Sequence, residues 1–153
     1  MKRMFLVAIL ATAAAVPAAP AAQASDDSVR AVVRAQAERQ VREDRRFIRN
    51  TRSLSTRKGL NKARLAAKRQ AASIKTFKDA LVPELADTPQ VAEGRSDLLN
   101  ALDHYNNGLA KLRQGLRQAL NAGGNSGVAK ARAGLRNMRT AARRAGAAAR
   151  KIL

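Results

Sequence analysis

Cysteine is absent from the 153 residues. The chain therefore has no disulfide, no thiolate nucleophile and no sulfur ligand for a structural metal. Histidine is reduced to His104, so an imidazole cluster for a metal is excluded as well. Tryptophan is missing, and three Phe and one Tyr make up the aromatic set. That leaves almost no ring platforms on which nucleic-acid bases could stack. Acid is scarce too: 11 Asp and Glu stand against 30 Lys and Arg, for a formal charge of +19. After the first residues no apolar run is long enough to cross a bilayer.

What is present begins with an export-type segment. Lys2 and Arg3 give a positive start, and Phe5 to Val16 is an apolar run too short for a membrane span. Pro17 and Pro20 break the run, and Ala22-Gln23-Ala24 offers a cleavage site before Ser25. The segment resembles bacterial export signals. It predicts a signal peptide over 1–24, no lipid attachment at a cysteine, and a single mature domain over 25–153 that is periplasmic, wall-associated or extracellular. Losing Lys2 and Arg3 lowers the charge to +17. Leu, Ile, Val and Phe make up about a fifth of that domain, which is little for a packed core. Alanine offsets this in part, as the best helix former and as a side chain that lets helices approach closely.

The apolar pattern is helical throughout. Its strongest stretch is Pro89 to Asn121, where Val91, Leu98, Leu102, Tyr105, Leu109, Leu112, Leu116 and Leu120 recur at helical spacing. Thr88-Pro89 supplies a cap and a first-turn proline. The register passes through Asn106-Asn107-Gly108 without a break, so one continuous helix is predicted. A first helix spans Ser25 to Ser53, with Ser25, Asp26 and Asp27 read as its N-terminal cap. Its stripe is Val29, Val33, Ala37, Val41 and Ile48, with Phe47 beside it and Asp44 interrupting. A second helix spans about Thr56 to Leu81 and stops at Pro83. A fourth spans about Gly127 to the end, after a turn at Gly123-Gly124. Gly59 to Arg64 faintly echoes Gly127 to Arg132.

Short links favour antiparallel neighbours. The second helix holds eight basic residues against Asp79 alone, and the fourth holds eight with no acid. An up-down-up-down order sets these two on a diagonal and separates their charge. The expected fold is therefore all-α, an antiparallel four-helix up-down bundle after a cleaved N-terminal signal peptide. A three-helix bundle or an open pair of hairpins is the fallback.

No residue set specifies a reaction. Asp103 and His104 are neighbours on a helix and project about 100° apart. Asp26-Asp27 reads as a helix start, and Glu43-Asp44 as partners for Arg39, Arg42 and Arg46. The glycine-rich turn lacks the Gly-Lys-Ser/Thr ending of a phosphate loop. No enzyme, cofactor or metal is expected.

The basic stripes remain. Lys58, Lys62 and Arg69 on the second helix, and Lys130, Arg132, Arg136, Arg139, Arg143 and Arg150 on the fourth, form candidate anion-binding faces. Two functions fit. One is a module associating with anionic envelope material, polyanion or lipid headgroups, through these arginines. Its binding would weaken with salt and with Arg136→Glu and Arg143→Glu together. Nucleic acid fits less well than envelope material. The other is a protein-interaction or holdase-type module with no anion site, using Ala/Leu helix faces. The oligomeric state is not specified by the sequence.

Overall fold

The computed structural model describes residues 20–122 and 125–153. They form four helices: α1 (Pro20–Asn50), α2 (Arg57–Leu81), α3 (Pro89–Ala122) and α4 (Asn125–Ile152). No strand occurs among the described residues. The first 19 residues, which hold most of the expected export signal, lie outside the described residues, and Pro20 to Ala24 continue α1. No described helix is long and apolar enough to cross a membrane.

The helices alternate in direction. Near the start of α1, Asp26 accepts hydrogen bonds from the Asp87 and Thr88 N–H groups at 3.0 and 3.3 Å and from the Thr88 hydroxyl at 2.6 Å. Arg30 Nε donates to the Ile152 carbonyl at 3.0 Å. One end of the bundle thus collects the start of α1, the α2–α3 link and the end of α4. The end of α1, the start of α2, the end of α3 and the start of α4 lie at the other end. Helix α3 packs extensively on α4 and on α2, and α1 packs on α2. Helix α1 touches α4 and α3 only thinly. The packing fits the helical bundle expected, with α1 held chiefly by α2.

The expected stripe of α3 forms the centre. Val91, Leu98, Leu102, Tyr105, Leu109, Leu112 and Leu116 are buried, Leu120 is half-buried, and the helix runs unbroken through Asn106-Gly108. Two expectations for α1 are corrected. Asp26 does not cap α1, which starts ahead of it; its carboxylate serves the 87–88 backbone at the start of α3 instead. The buried stripe also runs through Val29, Val33, Ala37, Gln40, Asp44 and Phe47, leaving Val41 and Ile48 half-buried. Steps of four and three keep a 3.6-residue period on one line, and that line passes through Asp44.

Helix α2 starts as expected. Thr56 is extended, and its hydroxyl accepts the Gly59 N–H at 3.1 Å. Thr56→Ala should cost about 1 kcal/mol, read as a lower urea midpoint at unchanged slope.

The α3–α4 pair is closer than side-chain packing allows. Gly94, Ala101, Gly108 and Gly115 on α3, and Gly127, Gly134, Ala141 and Ala148 on α4, are all buried and recur every seven residues. A small residue at each heptad lets two backbones meet directly, without the side-chain layer that normally sets their separation. A Cβ added at Gly134 would lie 2.5 Å from the Leu112 nitrogen and 2.7 Å from the Gly108 carbonyl oxygen. One at Gly115 would lie 2.6 Å from the Gly127 oxygen. The echo between Gly59 and Gly127 is not repeated in packing: Gly127 abuts Ala119 across the hairpin, whereas Gly59 abuts Ser53 and Thr56 nearby in the chain.

Candidate functional site

The alternation of the helices turns a sequence pattern into a charge gradient along the bundle. No Asp or Glu occurs between Arg45 and Lys78 or from His104 to Leu153. Helix α3 carries Glu93, Asp97 and Asp103 in its first half and Lys111, Arg113 and Arg117 in its second. Because α1 and α3 run parallel, Asp26 and Asp27 on α1 and Glu93 and Asp97 on α3 lie toward the same end, whereas Glu38, Glu43 and Asp44 lie farther along α1.

That end is internally neutralised. Lys151 bridges Glu93 at 2.7 Å and Asp97 at 2.8 Å, and these two carboxylates hold its amine above the ordinary lysine value. Arg30 pairs with Asp27 at 3.2 Å and with Asp26 at 3.8 Å. For Asp26, burial works to raise the pKa. The hydrogen bonds from Thr88 and Asp87, helped by Arg30, outweigh it and leave the group below the usual carboxylate value. Farther along, Lys78 bridges Asp103 at 2.5 Å, and Lys75 pairs with Asp79 at 2.6 Å.

Toward the opposite end the exposed side chains are mostly basic, with Glu43 the carboxylate on its groove. Lys58, Lys62 and Arg69 on α2 are exposed, as are Arg132 and Arg136 on α4 and Arg113 and Arg117 on α3; Lys130 is half-buried. Arg139 and Arg143 are exposed farther up α4. Arg150 is exposed as well, but it sits about 27 Å from Arg132 along the helix, beside the acid-paired Lys151. Helices α2 and α4 do not pack on each other among the described residues, so the expected α2 and α4 faces do not merge into one stripe.

One concavity lies there. Lys62 and Arg69 line a groove of about 120 Å³ between α1 and α2, together with Arg46, Asn50, Phe47 and Leu65. Leu65 is 56% exposed. Glu43 pairs with Arg46 at 2.9 Å, the one acid on the groove. Arg46 and the arginines of α3 were not among the expected site residues. Net charge per helix hides them, because acid in one half of α3 cancels base in the other.

The chain matches no family model, no curated protein and no solved structure. The site is therefore read from its own chemistry.

A second feature lies inside. Asp44, Gln40, Gln70, Ser73 and Tyr105 are buried together where α1, α2 and α3 meet. Asp44 Oδ1 accepts from Gln40 Nε2 at 2.8 Å, Gln70 Nε2 at 2.5 Å and Tyr105 Oη at 3.4 Å. Gln70 Nε2 also donates to Tyr105 Oη at 3.0 Å, and Ser73 Oγ donates to Gln40 Oε1 at 2.9 Å. The expectation that Asp44 serves a surface arginine is thus corrected: only Glu43 does so. Burial raises the Asp44 carboxyl to about 6, against the pull of its three hydrogen bonds and with a further push from Glu43. Burial, then the charge of Asp44, raises the Tyr105 phenol well above its ordinary value. Asp103 and His104 are both exposed, and Asp103 is engaged by Lys78. Among the described residues no group of three or more His, Cys, Asp or Glu could hold a metal.

Proposed function

We propose that this protein is an exported, non-enzymatic helical module that associates with phosphate-bearing envelope material through the acid-free end of its bundle. The observation carrying this reading is the axial segregation of charge. All acidic partners gather at one end or along α1, and the other end presents lysine and arginine from α2, α3 and α4 with no carboxylate beyond Glu43 at its margin. A single-sign surface of this kind raises the local concentration of polyanions and steers them in. Arginine forks suit phosphate oxygens in particular. The paucity of aromatics favours a repeating anion or a charged lipid surface over base-stacked nucleic acid.

The test is binding of long-chain polyphosphate, and of phosphatidylglycerol against phosphatidylcholine vesicles, over a salt series. Affinity should fall steeply with salt, as it does when bound counterions are released. Lys62→Glu with Arg136→Glu should lower affinity about tenfold or more and flatten the salt slope. Arg150→Glu, on the same helix as Arg136 but at the paired end, should change little. Equal effects of Arg150→Glu and Arg136→Glu would overturn the reading, as would binding unchanged at high salt. Salt-insensitive retention of a protein would instead favour the interaction-module alternative. Vesicle binding without polyphosphate binding would assign the phosphate to a lipid headgroup, and the converse to a polymer.

A further inference from the structure

Gln70 belongs to two places at once. It is 1% exposed, yet it lines the groove between α1 and α2. Its Nε2 is spent inward, donating to Asp44 Oδ1 and to Tyr105 Oη. Its Oε1 accepts nothing from the described residues. Among those residues, Asp44 Oδ2 is the one side-chain oxygen or nitrogen sealed from solvent without a partner. Gln70 Oε1 is therefore not sealed, and the groove is the surface it reaches. A nearly buried acceptor, fixed by the inward bonds of its own amide, calls for a donor from the groove side. Asn50 on the same groove repeats the pattern. Its Nδ2 donates to the Arg46 carbonyl at 2.8 Å, which leaves Oδ1 open to a ligand.

The rest of the groove is basic and apolar. Lys62 and Arg69 are exposed and form no ion pair among the described residues. They stand seven residues apart, about 10.5 Å along α2 and on one face of it. Their long side chains can close on one anion held between them. Arg46 on α1 gives Nη1 to Glu43 at 2.9 Å and keeps the rest of its fork. Phe47 and Ala66 are buried and form the apolar floor, with Leu65 exposed beside them. The space of about 120 Å³ is open enough for roughly ten waters, or for one small organic anion of about as many heavy atoms.

We propose that this groove seats one glycerol phosphodiester, its phosphate between Lys62 and Arg69 and a glycerol hydroxyl donating to Gln70 Oε1. The proposal rests on the anion-binding reading and narrows it, from a surface to a site and from phosphate to one class of phosphate ester. An ammonium group would also supply a donor, but Lys62, Arg69 and Arg46 repel it, and Glu43 is already engaged by Arg46. A bare phosphate would occupy the cations and leave Phe47 and Ala66 wet. A glycerol ester brings the anion, the donor and a short carbon chain to cover that floor. The same ester occurs as a lipid headgroup and as the repeat of a polymer, so the experiment separates the two sources.

The experiment compares vesicles of phosphatidylglycerol with vesicles of phosphatidylmethanol, which carry the same charge and no hydroxyl, over a salt series. Binding to both should weaken with salt. The glycerol lipid should stay about three- to tenfold tighter throughout, the worth of one or two hydrogen bonds. Ala66→Leu, which fills the floor and changes no charge, should erase that preference while circular dichroism shows the helices intact. If the variant does not fold, the wild-type comparison still decides. Soluble glycerophosphoglycerol and diethyl phosphate identify the source. A shift of the Gln70 side-chain amide signals by the first and not the second would assign the site to a free or polymeric ester. A preference confined to vesicles would assign it to the lipid headgroup. Equal, salt-dependent binding of the two lipids, with equal responses to the two soluble esters, would overturn the proposal and leave the anion-binding reading standing. So would a preference retained in folded Ala66→Leu. Binding to neither lipid and neither ester would overturn both.

Discussion

Gly134→Leu is expected to abolish the cooperative thermal unfolding of this bundle at neutral pH, and Gly134→Ala to weaken it. The reason is where the new atoms must go. Even the first of them, the Cβ, falls within 2.8 Å of the Leu112 Cα, and its other two nearest neighbours are also backbone atoms of α3. A side-chain neighbour could rotate aside, but a helix backbone cannot. Alanine at position 134 gains about 1 kcal/mol of helix propensity over glycine. Forcing two helices apart over a methyl costs typically 1–3 kcal/mol, so the clash wins. Leucine adds three more carbons and must unzip neighbouring heptads, because Gly108, Gly115, Gly127 and Gly134 share one line of contact. The loss then approaches the 5–15 kcal/mol total stability of an ordinary domain, and this domain has a thin core. Gly146→Ala is the control on the same helix. A Cβ there meets nothing within 4 Å, so propensity acts alone and the variant should gain up to about 1 kcal/mol. Circular-dichroism melts of the three variants decide the matter. If Gly134→Leu melts within about 1 kcal/mol of wild type, the α3–α4 contact is not backbone on backbone.

That seven-residue spacing was written in the sequence but does not register in a search for large apolar residues. The stripe of α3 was legible because Leu and Tyr mark a helix face strongly. The partner stripe, Gly94-Ala101-Gly108-Gly115, marks its face by having no side chain, and glycine in a helix reads by default as a turn or a cap. Asn106-Asn107-Gly108 looks like a turn for that reason, whereas Gly108 sits in mid-helix under Met138 of α4. Helix count, order and most boundaries followed from period and caps, which are local properties. The placement of Asp26 and Asp44 did not. Each looked like a member of a surface acidic pair, and each is taken up by a segment 26 or more residues away in sequence. For the basic end, the candidate residues were legible as stripes on separate helices. Their gathering toward one end depended on helix direction, and Arg46, Arg113 and Arg117 were hidden by acids elsewhere on their own helices.

Asp44→Asn should make the protein more stable at pH 8 and leave it nearly unchanged at pH 4. In the folded bundle Asp44 keeps its proton up to about pH 6, whereas in the unfolded chain it releases it near 3.8. Between these values the folded state binds more protons, so the contribution of Asp44 to stability falls as pH rises through the window. Above pH 6 the ionised carboxylate costs about 2–3 kcal/mol relative to its protonated form, from two pKa units at 1.36 kcal/mol each. Asparagine resembles the protonated form and keeps an oxygen for Gln40 and Gln70. Its amide replaces Oδ2, where no partner waits, and that returns part of the gain. The net expectation is about 1–2 kcal/mol at pH 8, or roughly 3–6 °C in melting temperature. Asp26 titrates with the opposite sign: its lowered pKa contributes stability above pH 3.8 that is lost as pH falls further. It is present in both proteins, so the difference between wild type and Asp44→Asn isolates position 44. Urea unfolding at pH 4, 6 and 8 gives the three points required. A difference that is destabilising or flat across them would mean that Asp44 has a counter-charge or water inside the bundle that relieves it.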